Sequence, residues 1–344
     1  MVSERGLEVL RAIVEDFVQT NEPVGSKSIV DRHAFGVSAA TIRNDMALLE
    51  DEELIAAPHT SSGRVPTDKG YRVFVDHLAQ VRPLSTAQRT AISAFLADPA
   101  DLDDLMVRTV RVLTRLTGQV ALAQYPSFAR AHVTHIELVA LAPSRLLVVL
   151  VTDAGGVSQR IVPLPVELDE SEIGVLRATL TSLITGRSVR RGAEQVAAAG
   201  ESLSDPRIGA AQAALLRAVA EELAEFRQER LVMAGAATLA RREHDFRGSI
   251  HPLLEAIEEQ VTLLRLMSEM RVDEHGLAAS IGTENAAFGL GEASIVASDY
   301  ITHSGTARVG VMGPTRMDYP SNLAAARAVA RYLSQLLEED ETGR

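Results

Sequence analysis

Cysteine and tryptophan are absent from the 344-residue chain, and aromatic residues make up only 4% of it. Without cysteine the chain cannot form disulfides, thiolate metal sites or cysteine nucleophiles. Long apolar runs are also missing, since the longest, Leu146–Val151, is far shorter than the roughly 20 residues that span a membrane as a helix. The N-terminal letters MVSERGLEVLR are charged from the start and follow a helical period, unlike a signal peptide. We therefore expect a cytoplasmic protein.

The chain is long and acidic. Its 344 residues exceed the about 250–300 residues at which a single core stops growing, so two or three domains are expected. The net charge is −12, and residues 1–82 carry nine basic against thirteen acidic side chains, an unusual balance for a DNA-binding segment. Within that segment, however, Arg64, Lys69 and Arg72 lie close together with only Asp68 among them. We expect modest non-specific affinity for DNA and heavy reliance on base readout.

Two capped helices are predicted near the N-terminus. Ser26 and Ser38 each precede a helical pattern, where a hydroxyl can accept hydrogen bonds from the free N–H groups of the first turn. The short turn Phe35–Val37 separates the two helices. This order is typical of a helix-turn-helix, whose second helix reads DNA.

The second helix has two distinct faces. Its apolar face, which should dock on the rest of the domain, consists of Ile42, Met46 and Leu49. The opposite face, with Thr41 at its edge, consists of Ala40, Arg43, Asn44 and Ala47. Alanine lets a helix approach a groove closely, asparagine pairs with adenine, and arginine pairs with guanine or a phosphate. This face therefore has the chemistry of a base-reading surface.

A polar turn after the second helix favours a winged helix-turn-helix. The stretch His59–Arg64 lies between two short predicted strands, and Thr67 then caps a further helix that ends near Leu78. The helix pair alone would suit a plain helical hairpin equally well, but such a turn has little packing value and suits phosphate contacts. The residues expected to contact DNA are Ser26, Lys27, Ser38, Ala40, Thr41, Arg43, Asn44, His59, Thr60, Ser61, Arg64 and Lys69.

Downstream of residue 82 the pattern changes to mixed elements. Predicted helices cover 85–96, 102–117, 171–185, 193–199, 208–230, 253–270 and 323–337. Predicted strands cover 120–124, 133–141, 146–152, 157–162, 276–283, 293–299 and 307–312. The run Leu146–Val151 lacks alternation, so we expect a central strand covered on both faces. The helix at 208–230 has an apolar stripe from Ile208 to Phe226, which suits a core helix and a subunit contact about equally. Strands that are split into two groups indicate an interrupted domain.

No pattern for catalysis or a cofactor emerges. His132 and His135 have a spacing that would suit metal binding on a helix, but on a strand they point to opposite faces. The glycines near Gly289 lack the residues of a phosphate-binding loop, and His303-Ser304-Gly305 lacks a nucleophile elbow. We therefore expect no enzyme activity, no metal and no cofactor. The stretch Gly313–Tyr319 is interpreted first as a strand-to-helix turn capped by Asp318 or Ser321, and second as a surface that presents Arg316 and Tyr319.

Several segments together resemble the HrcA family of bacterial heat-inducible transcription repressors. They are EPVGS at 22–26, VSAATIRNDM at 37–46, PHTSSGRVPTDKGYR at 58–72 and GPTRMDY at 313–319. The similarity extends over the whole chain. It departs at Ala39 and Ala40, where many members have a proline, and at Asp51–Glu53, which replace a glycine.

The resemblance implies an α+β multidomain fold with a function in heat-shock regulation. It implies a winged helix at 1–82, a GAF-like α/β domain split between 83–167 and 246–344, and a dimerisation domain inserted at 168–245. It also implies a homodimer that represses chaperone operons at an inverted-repeat operator, with the chaperonin promoting its active state until heat stress diverts the chaperonin. A ligand-sensing repressor, binding a small molecule through the GAF-like domain, remains the alternative.

Overall fold

The computed structural model describes residues 2–59, 62–79, 83–126, 131–153, 156–199, 208–225, 230–241, 243–246, 248, 250–302 and 305–342. The chain divides into two compact units. The first comprises Met1–Gln124, Leu231–Tyr300 and Arg308–Gln335. The second comprises Tyr125–Arg230, Ile301–Ala307 and Leu336–Arg344.

The N-terminal part of the first unit consists of helices and a small hairpin. In chain order they are α1 (Glu4–Thr20), α2 (Ser26–Arg32), α3 (Ala39–Asp51), β1 (Ile55–Ala56), β2 (Val65–Pro66) and α4 (Asp68–Val73), which continues as a π-helical turn over Phe74–Leu78. The hairpin strands pair antiparallel, with Ile55 opposite Pro66. The element order predicted for this segment is confirmed.

Two of the three helix caps predicted for this N-terminal segment are confirmed. The hydroxyl of Ser38 accepts from the N–H of Thr41, and that of Thr67 accepts from the N–H of Gly70. The predicted cap at Ser26 is wrong, because α2 begins at that residue and its N-cap is Gly25. Backbone hydrogen bonds between Val24 and Arg64 hold the chain extended next to Gly25, so α2 begins directly after Gly25.

The remaining elements alternate between helices and strands. They are α5 (Thr86–Leu96), α6 (Leu102–Thr117), β3 (Val120–Gln124), β4 (Val133–Ala142), β5 (Arg145–Thr152), β6 (Val157–Pro163), α7 (Glu170–Ile184), α8 (Val189–Ala199), α9 (Gly209–Glu225), β7 (Leu231–Ala234), α10 (Ala236–Arg241), α11 (His251–Glu259), α12 (Val261–Glu269), β8 (Leu277–Ser280), β9 (Ala293–Thr302), β10 (Gly305–Pro314) and α13 (Tyr319–Thr342). Short 3₁₀ helices cover Glu243–Asp245 and Gly282–Phe288. The predicted mixture of helices and strands is confirmed.

A five-stranded sheet with the strand order β7-β3-β10-β9-β8 forms the centre of the first unit. Residues of α11 and α12, among them Leu253 and Leu263, pack in the same hydrophobic core as β9 residues such as Ile295. The sequence predicted one helix over 253–270, and this is wrong because Gln260 has a φ of 42° and separates α11 from α12. A residue with a positive φ interrupts helical hydrogen bonding, and a glutamine in the sequence does not indicate such a φ.

The second unit is a three-stranded antiparallel sheet, β4-β5-β6, whose inner face packs with α7, α8 and α9 in one core. Strand β5 is central as predicted, but only one of its faces is covered. Apolar side chains on the outer face stay exposed or half-buried. They are Val139, Leu141, Leu147, Val149, Val151, Val157 and Ile161.

The core of the second unit groups residues differently from the predicted domain boundaries. The sequence placed 133–163 with the split domain and began the insertion at 168, whereas buried residues from Ala131 to Leu223 form one cluster. The chain leaves the five-stranded sheet after Gln124 and returns at Leu231, which is its register partner. The strands at 133–163 therefore belong with the helices that follow them, a grouping that local patterns cannot reveal.

The apolar stripe of α9 lies in the core of the second unit. Ala211, Leu215 and Val219 are at most 1% exposed, and Ile208 packs partly buried against the same cluster. Phe226, the predicted end of the stripe, lies outside the described residues. Of the two interpretations of this helix, the core interpretation is therefore confirmed for the described part of the stripe.

Candidate nucleic-acid interface

Helix α3 presents the two faces that its sequence predicts. Ile42 and Leu49 are fully buried and Met46 is 6% exposed. The outward face consists of the exposed Ala40, Arg43, Asn44 and Ala47, with Thr41 half-buried at its edge. The predicted division of this helix into a buried and an outward face is confirmed.

An ion pair between α1 and α3, which the sequence did not predict, fixes this orientation. Arg5 donates from Nε and Nη2 to the two oxygens of Asp45, over 2.7 and 3.0 Å. The Asp45 side chain is only 5% exposed, so it needs this partner. The hydrogen bond to Asp45 raises the pKa of Arg5 above its ordinary value. An acid among the buried positions of an amphipathic helix was the available signal.

Leu48 was also missed. This side chain is 56% exposed and lies one turn after Asn44 on the outward face of α3. It sits next to Leu49 in the sequence, so composition alone does not distinguish it from the buried stripe.

The hairpin β1–β2 is joined to the start of α2. Val24 and Arg64 exchange backbone hydrogen bonds of 2.9 and 2.8 Å. A Cβ on Gly63 would lie 2.6 Å from the backbone of Pro23, so only glycine fits there. The turn is held by Ser62, whose hydroxyl donates to the carbonyl of His59 over 2.7 Å. Predicted contacts Thr60 and Ser61 lie outside the described residues.

Residues at and just after the end of α3 contact one cation of the hairpin and one of α4. Arg64 donates from Nε to Glu50 over 2.9 Å and from Nη1 to the carbonyl of Ser62 over 3.2 Å. Lys69 donates to the carbonyl of Glu52 over 2.8 Å and lies 3.7 Å from the carboxylate of Glu53. The fold therefore brings residues that are 14 and 17 positions apart in the chain into contact.

The other predicted contacts are divided between surface and interior. Lys27 is exposed at the start of α2, and Ser38 is exposed although its hydroxyl is engaged as a helix cap. Ser26 is only 8% exposed, because α2 packs this residue inward. This burial leaves Ser26 little surface for a DNA contact, and its assignment stays a prediction.

Comparison with known proteins identifies the family. A family model described as the HrcA protein C-terminal domain matches residues 103–322. The heat-inducible transcription repressor HrcA of Clavibacter michiganensis subsp. michiganensis is 61% identical over 98% of this chain and 100% of its own length. That of Leifsonia xyli subsp. xyli is 59% identical over 98% of this chain and 99% of its own. The chain belongs to the HrcA family.

Membership gives the biological role and the fold agrees with a solved structure. As a member of the family, the protein is a repressor of heat-inducible transcription. A crystal structure described as a hypothetical protein covers 98% of this chain and 99% of that chain, with a TM-score of 0.67 and 24% identity. At this identity the likeness shows the fold alone. In the part of the chain that is described, no helix is long and apolar enough to cross a membrane.

The Glu50–Arg64 pair yields a prediction about DNA affinity. In Glu50→Gln, Arg64 becomes free to pair with a phosphate, so binding to operator and to random DNA should strengthen. The slope of log affinity against log salt should steepen by about 0.9, the value of one phosphate contact. Binding titrations over a salt series measure both effects.

The matched control for this prediction is Asp51→Asn, which removes the same charge from an exposed neighbouring residue. It should strengthen binding slightly through long-range charge and leave the salt slope nearly unchanged. If both variants steepened the slope equally, net charge rather than the pair with Arg64 would control binding.

Proposed function

We propose that residues 1–78 form a winged helix-turn-helix that binds operator DNA, with α3 in the major groove and the β1–β2 hairpin as the wing. The observation that carries this proposal is the outward face of α3, where Arg43 and Asn44 are exposed beside two alanines while the opposite face is buried. Asn44 would pair with an adenine, and Arg43 with a guanine or a phosphate. His59, Thr60, Ser61, Arg64 and Lys69 would contact the backbone near the wing.

We assign the rest of the chain to the two further modules that the family resemblance implies. The five-stranded sheet with its helices would be the GAF-like domain, and the insertion would run from about residue 125 to residue 230. The register pairing of Gln124 with Leu231 supports these bounds, because the two ends of an insertion must meet.

We propose that the protein acts as a two-fold dimer on an inverted repeat. A single helix reads too few base pairs to find one site in a genome, so doubling is required. The outer face of β4-β5-β6 is the best candidate contact, since Val139, Leu147 and Ile161 are cross-strand neighbours. Val139 and Ile161 are 43% and 55% exposed, and contiguous exposed apolar patches usually mark interaction surfaces.

We further propose, from the family resemblance, that the operators control chaperone genes and that the chaperonin promotes the active state of the repressor. Heat stress would divert the chaperonin to unfolded clients and release the genes. Footprinting on the promoters of the protein's own chaperone genes, with and without chaperonin, tests target and partner together. If the footprint were the same with and without chaperonin at every temperature, including with protein that has been stored after purification, the chaperonin would be excluded as this partner.

Asn44→Ala should weaken operator binding by about 1–3 kcal/mol and relax the preference at one base pair. The side chain is exposed, so the fold should be unaffected. Competition binding at fixed salt, with single-base variants of the operator, measures affinity and preference separately. Unchanged operator affinity would mean that α3 does not face the bases in the way we propose.

Ile161→Asp should dissociate the dimer, because it places a charge in the centre of the proposed apolar contact. Val175→Asp is the control, since Val175 is similarly exposed, at 54%, on α7 of the same unit. Sedimentation velocity gives the oligomeric state of each variant. A dimeric Ile161→Asp protein would remove the outer sheet face as the contact.

A further inference from the structure

Arg316, in the GPTRMDY stretch, bridges two other segments of the first unit. Its Nη1 donates to the carbonyl of Val18 in α1 over 3.1 Å, and its Nη2 donates to the carboxylate of Asp245 over 2.5 Å. The Arg316 and Asp245 side chains are only 16% and 4% exposed. The bridge therefore ties α1 to the segments around the five-stranded sheet through a largely buried charge pair.

Helix α1 continues this connection to the reading helix. Val18 lies in its last turn, and Arg5, which holds Asp45 of α3, lies in its first turn. A regular α-helix between these points behaves as a stiff rod of about 1.5 Å per residue. The position of α3 is thus coupled through α1 to the position of Arg316.

A second set of contacts joins α4 to the same side of the sheet. The rings of Tyr71 and Tyr319 lie with their centroids 5.6 Å apart, and both side chains are buried. Burial raises the pKa of Tyr319 well above its ordinary value, so its hydroxyl stays protonated and donates to the carbonyl of Thr315 over 2.7 Å. Arg72 pairs with Glu284 and also donates to the carbonyl of Ala279 over 2.8 Å. The N-terminal helices are thus held against the segments around the five-stranded sheet at two places, through α1 and through α4.

We propose that Arg316 is a positioning residue for operator recognition. By joining α1 to Asp245, it fixes the direction in which α3 points relative to the five-stranded sheet. In a dimer this fixed direction sets the distance and angle between the two reading helices, and hence the half-site spacing that the protein accepts. The inference rests on the proposed function, in which α3 reads DNA and the chain acts as a dimer.

Arginine is suited to this role because its planar guanidinium serves two acceptors at once, whereas a lysine ammonium is a single point of charge. Removing Arg316 alone would leave Asp245 buried without its partner and could unfold the protein. The test therefore uses the paired variant Arg316→Gln/Asp245→Asn, which leaves neither charge buried alone. Arg316→Lys is the conservative variant, and Arg331→Gln is the control on an exposed arginine of α13.

The first measurement needs no DNA. The chain lacks cysteine, so Leu48→Cys and Val261→Cys place spin labels only at two exposed sites, one on α3 and one on α12. Labelled protein is mixed with an excess of unlabelled protein, and the distance distribution is recorded by pulsed electron spin resonance. We expect one narrow distribution for the parent and for Arg331→Gln, a broadened one for the paired variant, and an intermediate width for Arg316→Lys.

The second measurement is binding to a single half-site, to the full inverted repeat, and to repeats with half a helical turn inserted between the half-sites. The paired variant should bind the half-site like the parent. It should bind the full repeat about 10-fold more weakly, because a loosely held module has a lower effective concentration at the second half-site. It should also lose most of the affinity difference that the parent shows between the full repeat and the repeat with the added half-turn of DNA, because a loosely held module tolerates wrong geometry.

A paired variant that is folded and keeps either the narrow distribution or the parent's spacing dependence would overturn the proposal. Failure of the proposed function has a different signature. In that case the parent itself would bind the full repeat no better than the half-site, or would not bind it at all, and the spin-label distances would still decide whether Arg316 holds α3 in place.

Discussion

The ion pair between Arg5 and Asp45 determines which side of α3 faces outward, and the candidate interface depends on it. A carboxylate that is 5% exposed must be paired, so any rotation of α3 that exposed Ile42 would also have to carry Asp45 away from its partner. Hydrophobic burial alone selects a broad arc of the helix, whereas a two-pronged hydrogen bond selects one rotation. The same pair ties α3 to α1 and so to the rest of the unit.

Acidic residues close to the hairpin bear on how this acidic chain would distinguish an operator from other DNA in the function that we propose. Arg64 of the hairpin pairs with Glu50, and Lys69 of α4 contacts Glu52 and Glu53, so both cations are partly satisfied before any phosphate arrives. A phosphate must therefore exchange with a carboxylate, which reduces the gain from sequence-independent contacts. In the function that we propose, contacts from the outward face of α3 to base edges would have no such internal competitor, so they would contribute relatively more to the difference between a correct and an incorrect site.

Local patterns in the sequence predicted the helices, the hairpin and the faces of α3, because spacing within one helix decides which residues share a side. They failed where long-range contacts decide. The pair of Arg64 with Glu50 depends on a hairpin that returns over 14 positions, and Arg316 meets Val18 across 298 positions. Likewise, β4, β5 and β6 resemble strands of either sheet in composition, and only their packing on α7–α9 assigns them. Gln260 shows the same limit, since glutamine is an ordinary helix former.

The pairing of Gln124 with Leu231 also has a consequence for protein engineering and evolution. Register partners on antiparallel strands have Cα atoms about 4.5–5.5 Å apart, a gap that a two-residue turn can close. The five-stranded sheet can thus exist in principle as a continuous hairpin without the segment between them. The position is a natural exchange point, where segments of different size can be gained, lost or replaced while the register of the sheet is preserved.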